Sequence, residues 1–232
     1  AHDLAANGVS FVAQPATDGP STGRCLIVVT SDAERTMSTY LGAGAGLGPE
    51  DIDPAVIADA RVVYLEGYLF DSPEAKEAYR KASRIAHEAG RKVVLTLSDS
   101  FCVSRHLEEW VTLVDDQVDV LFGNEEEVQV LCGTGFDEAV RSLQGRVEVA
   151  VVTRGAAGSI LVTAEDMVEV PAEKVAAVVD TTGAGDLYAA GFLYGYTRDL
   201  SLADCGRLGA KAAAEVISHT GARPLTPLSH LT

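Results

Sequence analysis

At 232 residues with 47% hydrophobic content, the chain is long enough for one sizeable α/β core and is not a disordered composition. Its formal net charge of -16, from 34 acidic against 18 basic residues, leaves no basic field for a phosphate backbone and excludes general electrostatic binding of nucleic acid. An acidic balance of this kind chiefly favours solubility.

From the amino end, Val9 to Ala13, Arg24 to Thr30 and Arg35 to Tyr40 read as short strands joined by polar turns containing Gly and Pro. The run Gly42 to Gly48 fails the G-x-G-x-x-G spacing of a dinucleotide loop, and Pro49-Glu50-Asp51 follows where an apolar helix is needed. It is expected to be a loop. Residues 62 to 66, 92 to 98, 118 to 122 and 147 to 153 are β-branched runs of the kind found in strands buried on both faces. Helix-like stretches separate them; Ser72 caps one with Pro73 and Glu74 in its first turn, and Gly90 stops it. After Gly158 come closely set strands at Ser159 to Thr163, Met167 to Val170 and Val175 to Val179, an expected antiparallel edge. Two helices finish the chain, from Ala184 to about Thr197 and from Ser201 to about Ser218. This alternation implies an α/β fold with a mostly parallel sheet and helices on both faces, and no linker divides it. Ligands in such sheets sit beyond the carboxyl ends of the strands, where Asn124 and Thr153 fall.

Asp180-Thr181-Thr182-Gly183-Ala184-Gly185-Asp186 runs directly into the apolar segment Leu187 to Leu193. A helix starting here aims unpaired N–H groups and its positive dipole end at an anion, and the small residues allow close approach. An acid in a first turn is ordinary helix chemistry. Beside an anion hole, however, a carboxylate repels the phosphate it faces, so its presence fits removal of a proton from an attacking hydroxyl. That combination points to phosphoryl transfer to an alcohol. No G-x-x-x-x-G-K-[ST], H-R-D or D-F-G sequence is present, which excludes the P-loop and protein-kinase classes. Asn124 and Glu127 share one face of a helix start, as ligands of one group or as a cap with its N3 acid. The four cysteines and five histidines lack metal or disulfide spacing, and no run of about 18 apolar residues or basic-then-apolar leader occurs. The expected location is cytoplasmic.

The 180 to 186 run resembles the C-terminal signature of the ribokinase-like (PfkB) carbohydrate and purine kinases. Asn124-Glu125-Glu126-Glu127 is similar to their Asn-x-x-Glu element, and Thr153-Arg154-Gly155-Ala156-Ala157-Gly158 to their nucleotide loop, in the same order. The resemblance implies a ribokinase-like three-layer fold over residues 1 to 232 as a single domain, with about 9 to 45 contributing to a small β lid. It makes Asp186 the base and Gly183, Ala184 and Gly185 the anion hole, with Arg35 over the transferring phosphate. Asn124, Thr153, Gly155 and Gly158 would hold ATP, Glu127 would act near Mg2+ through water, and Asp180 with Thr182 would sit at a K+ site or form a plain turn. Within the family the likeness is greatest to adenosine kinases. Leu65-Glu66-Gly67-Tyr68-Leu69-Phe70 and Leu97-Ser98-Asp99-Ser100-Phe101 resemble their aromatic elements, so Phe101 and Tyr68 or Phe70 would face a purine. A nucleoside is therefore the expected acceptor and a sugar the alternative, a non-catalytic nucleotide-binding fragment being a third reading. Two departures stand out: no counterpart of the family's first strand and Gly-Gly segment is seen, and Ala210 or Lys211 stands where many ribokinases carry an Asn near the adenine. An uncovered strand edge favours pairing with another chain, as in a homodimer.

Overall fold

The computed structural model describes residues 2–11, 16–31, 33 and 35–231. A short helix, α1 (His2–Ala6), precedes an antiparallel hairpin of β1 (Thr22–Val29) and β2 (Arg35–Gly42). There follow α2 (Pro54–Asp59), β3 (Val62–Glu66), α3 (Pro73–Glu88), β4 (Lys92–Thr96), α4 (Ser100–Arg105), α5 (Leu107–Gln117) and β5 (Val120–Asn124). The chain continues through α6 (Glu125–Cys132), α7 (Phe136–Ser142), β6 (Val149–Thr153), β7 (Ser159–Val162), β8 (Met167–Val170), α8 (Ala184–Tyr196) and α9 (Leu202–Ile217). Strands β3 to β8 form one six-stranded sheet in sequence order, parallel through β6 and antiparallel from β6 to β8.

The period-2 rule of a strand explains the three layers. Val93, Leu95, Leu121, Ala150 and Val152 point to one face, where they meet Phe70, Trp110, Val128 and Val140. Val94, Val120, Phe122, Val149 and Val151 point to the other, where Tyr188, Phe192 and Cys205 cover them. Helices α3, α5, α6 and α7 thus lie on one side of the sheet and α8 and α9 on the other. On that second side Gly191 and Gly209 let the two helices close up, because a Cβ on Gly191 would stand 2.4 Å from the Leu208 carbonyl oxygen.

The hairpin stands apart from this core. Its described side chains are exposed on both faces, Leu26, Ile27, Val28 and Met37 among them.

Two expected strands do not form. Val9 to Phe11 follows α1 without pairing, Val9 N donating back to Leu4 O (2.9 Å), and the rest of that expected strand, Val12 and Ala13, lies outside the described residues. Val175 to Val179 is irregular and mostly exposed; Val179 N bonds to Ile217 O (2.8 Å) and not to a neighbouring strand. Its valines, at 175, 178 and 179, lack the period-2 alternation of a strand, and the segment joins no ladder although β8 is the last strand of the sheet.

Candidate active site

The carboxyl ends of the parallel strands carry Glu66, Thr96, Asn124 and Thr153, with Glu66 paired to Thr96 and Asn124 to Thr153 in register. Facing them is the start of α8. Gly183 adopts a left-handed conformation (φ 82°), and a Cβ there would stand 3.0 Å from that of Ala222, so no other residue fits this entry to the helix. Ala184 N donates to Thr181 O (3.2 Å). The amides of Gly183, Gly185 and Asp186 make no hydrogen bond among the described residues. Of the expected Gly183, Ala184 and Gly185 set, Ala184 is thus the one whose N–H is turned back onto the loop. These amides stand at the N-terminal end of a 13-residue helix, where the helix dipole favours negative charge.

Asp186, in the first turn, opens to the cleft. Its surroundings push its carboxyl pKa up from the ordinary value by desolvation, and the Arg35 guanidinium pulls it back. Arg35, the first residue of β2, reaches across from the hairpin and donates through Nη1 to Thr181 Oγ1 (2.6 Å). Thr181 in turn donates to Ala33 O (3.3 Å), so the hairpin rests on the 180 to 186 loop. Asp32 and Glu34, just before Arg35 in the chain, lie outside the described residues.

Asp180 is buried, and both its oxygens are engaged by amides, Oδ1 by Thr182 N (2.9 Å) and Oδ2 by Gly221 N (2.9 Å). The arrangement staples the loop to the segment after α9. Thr182 is buried beside it.

Asn124 and Glu127 form a reciprocal cap on α6. Asn124 Oδ1 accepts from Glu127 N (2.9 Å), while Glu127 Oε2 accepts from Asn124 N (2.9 Å) and its Oε1 from Asn124 Nδ2 (3.0 Å). Burial pushes the Glu127 carboxyl up to about 6. Among the described residues no group of three or more His, Cys, Asp or Glu side chains is arranged to hold a metal ion. The capped pair fits magnesium only in the manner that ion prefers, through its water shell.

Thr153 ends β6 beside Asn124, and the nucleotide-loop segment turns tightly there. Gly158 (φ 88°) lies so close to β8 that a Cβ would stand 2.1 Å from Val170 O, while Gly155 (φ 52°) has open space around it. Arg154 turns away to Glu125 Oε1 (3.4 Å) and the Phe136 ring.

Of the aromatic candidates, Phe101 at the start of α4 is 71% exposed and Tyr68 is 49% exposed, whereas Phe70 is buried and stacks on Trp110 at 4.1 Å. Burial pushes the Tyr68 hydroxyl pKa up, with the charges of Glu66, Asp99 and Glu127 adding to it and Arg35 opposing, which sets this ring among the site's charges.

Three groups escaped the sequence reading. Glu66, at the end of β3, accepts from Ser98 Oγ (2.5 Å), and its pKa is raised by burial and by Asp186. Ser98 itself is left-handed (φ 65°), a conformation that a non-glycine residue adopts only when its neighbours enforce it. Tyr64, on β3, feels Asp186 and Glu66 and is held protonated mainly by burial. The alternation along Val62 to Glu66 was a signal that the odd residues of this strand go to the core, and so that Tyr64 and Glu66 face the other way.

A cavity of about 260 Å³ lies elsewhere, lined by Phe70, Lys76, Arg80, Glu109 and Gln117 between α3 and α5. No described helix is long and apolar enough to cross a membrane.

The backbone superposes on known enzymes. Adenosine kinase from Sinorhizobium meliloti matches with a TM-score of 0.96 and 48% identity over 99% of this chain and 71% of that one. The probable sugar kinase from Rhizobium etli CFN 42 matches with a TM-score of 0.96 and 47% identity over 99% of this chain and 70% of that one. Among curated sequences, the 5-dehydro-2-deoxygluconokinase of Listeria monocytogenes serovar 1/2a is 30% identical over 226 residues, covering 93% of this chain and 69% of that protein. Residues 1–228 match the pattern of pfkB family carbohydrate kinases. With that match spanning nearly the whole chain, and with an α/β core of ribokinase-like form, the chain belongs to the pfkB family of carbohydrate kinases.

Proposed function

We propose that the protein transfers the γ-phosphate of ATP to a primary hydroxyl of a purine nucleoside, adenosine being the preferred acceptor. The observation that carries this reading is the meeting, at one helix start, of a carboxylate with raised pKa, three amides without a partner among the described residues and an arginine from the facing hairpin. Asp186 takes the proton of the attacking hydroxyl as the oxygen turns to phosphorus. The amides of Gly183, Gly185 and Asp186 receive the negative charge of the transferring group, and Arg35 neutralises it from the opposite side. Thr153, Gly155 and Gly158 border the nucleotide phosphates, and Asn124 with Glu127 orders the solvent around them. Asn124 and Glu127, through water, would hold magnesium brought in with the nucleotide, which would supply positive charge against the phosphates. A K+ ion near Asp180 and Thr182 belongs to the same reading, although Asp180 has both oxygens committed to amides.

Two exposed rings, Phe101 and Tyr68, favour a flat base in the acceptor, because ring stacking gives a purine a contact that a bare sugar lacks. A sugar acceptor is the second reading. Glu66 and Ser98 favour it, since a partly buried carboxylate and a hydroxyl at the strand ends suit the hydroxyls of a sugar ring. The names of the relatives divide in the same way, between adenosine kinase and 5-dehydro-2-deoxygluconokinase.

The test is ATP consumption by the full-length protein across a panel of nucleosides and free sugars. Turnover of adenosine with the highest kcat/KM is the expected result. Efficient turnover of sugars with none of any nucleoside would replace the first reading with the second, and no turnover of either would point to a nucleotide binder.

A further inference from the structure

Phe101 and Tyr68 are displayed on two short elements, a six-residue helix and the 3-10 turn Gly67–Asp71, neither of which has enough internal bonding to hold a ring still by itself. What joins them is one carboxylate. Asp71, the last residue of the turn, receives Arg105 Nη2 at 2.7 Å and Nε at 3.2 Å, a two-pronged fork from the end of α4. It also meets His106 Nε2, at the next position, at 2.9 Å. The other end of the turn is fixed to the residues just before α4, because Gly67 N donates to Ser98 Oγ (3.0 Å) and a Cβ at Gly67 would stand 2.5 Å from Leu97 O. The turn and the 97–106 segment are thus tied at both ends, with the two exposed rings between the ties.

Behind the carboxylate the tie is seated in the core. Lys76 is buried; its Nζ donates to Glu109 Oε1 (2.6 Å), lies 3.3 Å from His106 Nδ1, and sits 5.0 Å from the centre of the Phe70 ring. An ammonium can only donate, so His106 Nδ1 accepts from it and Nε2–H is left to donate to Asp71. Phe70, between Tyr68 and Asp71, is held by its stack on Trp110.

We propose that Asp71 is a positioning residue for acceptor choice: by tying the 67–71 turn to the end of α4 it sets the spacing of Tyr68 and Phe101, and so the preference for a flat base over a bare sugar. This inference rests on the nucleoside reading above. The tie is exposed and contributes little to the stability of the whole molecule, as surface ion pairs usually do. Its effect is local, on the ordering that a stacked ligand requires.

The experiment is a double-mutant cycle in the full-length protein, with steady-state kinetics for adenosine, a sugar acceptor and ATP. Asp71→Asn is expected to raise the adenosine KM roughly five- to tenfold, while kcat, the ATP KM and the melting temperature stay near wild type. In a Phe101→Ala background the same substitution is expected to add less than about twofold, because the ring it positions is gone. Arg105→Lys, which keeps the charge and loses the fork, should reproduce the split and serves if Asp71→Asn folds poorly. Additive losses in the Phe101→Ala background, or equal losses toward ATP and sugar, would overturn the positioning role and leave the nucleoside reading intact. Phe101→Ala without effect on adenosine would overturn that reading and the positioning role with it.

Discussion

Asp186 is held between two opposing influences, desolvation raising its pKa and Arg35 lowering it, and the balance makes a prediction about pH. A general base acts when deprotonated, so under the proposed role of Asp186 the acid limb of kcat/KM is expected at its folded pKa, above the ordinary aspartate value. Replacing Arg35 with Gln removes the lowering influence. The limb should move to higher pH, alongside a fall in kcat of about 10²-fold from the lost charge at the phosphate. A pH profile of Arg35→Gln with an unmoved acid limb would show that the two groups are not coupled. Asp186→Asn should lower kcat by about 10²- to 10⁴-fold and leave ATP affinity near wild type, measured by calorimetry beside turnover. Asp186 was legible in the sequence because small residues, an acid and an apolar run in that order describe a helix entry by themselves. Arg35 stands 146 positions before Thr181, and only its resemblance to a known motif placed it in the site. Glu66 and Ser98 lie within segments quoted for their aromatic residues, but their pairing across 32 positions, Ser98 Oγ donating to Glu66, is visible only once the two strand ends are side by side.

The segment that follows α9 behaves as an element of its own, although it is irregular up to the short 3-10 helix Leu228–Leu231. Glu215 Oε1 accepts from Leu225 N (2.8 Å), Thr226 N (2.9 Å) and Thr226 Oγ1 (3.0 Å), and Oε2 faces His219 Nε2 (3.4 Å). Burial works against that charge, but the donors from Thr226, Leu225 and His219 outweigh it and hold the carboxyl below the ordinary glutamate value. A depressed folded pKa contributes stability above the unfolded value, and that stability is lost as pH falls through the lowered folded value. The segment should therefore stay closed at neutral pH and open in acid. Glu215→Ala should open it at neutral pH too, with a loss of about 1 to 3 kcal/mol. Gly221 and Ala222, which brace Asp180 and Gly183, belong to the same segment, so its amides should exchange faster in the variant. Unchanged exchange there would refute the latch. At this scale the sequence was informative about which segments form elements: the expected strand at 62 to 66 forms with those bounds, although it is buried on one face only and not on both as expected, and α3, α8 and α9 fall within a residue or two of expectation. Val175 to Val179 reads as a strand only through its content of β-branched residues; it lacks alternation, and its Val179 N bonds to Ile217 O rather than to a sheet strand.

The whole molecule combines a covered sheet with an uncovered hairpin. Strands β4, β5 and β6 are buried on both faces, whereas β1 and β2 contact water on both, so their amides should differ widely in hydrogen exchange. The hairpin ladder should exchange fastest in the free protein and slow when ATP and acceptor are added together, as Arg35 is drawn onto the phosphate. Equal protection of hairpin and core, or no response to ligands, would argue against a closing lid. The two sides of the sheet also differ in when they are made. The cover of one face consists of α8 and α9 alone, which emerge after every strand of the sheet. At about 5 to 20 residues per second, the stretch from Thr153 to Ile217 takes roughly 3 to 13 s to synthesise. Through that interval Val94, Val120, Phe122, Val149 and Val151 form a bare apolar surface on the nascent chain, a ready client for a ribosome-associated chaperone. The aspartate that would drive turnover arrives on the same helix that closes this surface, so an unfinished chain has nothing with which to squander ATP.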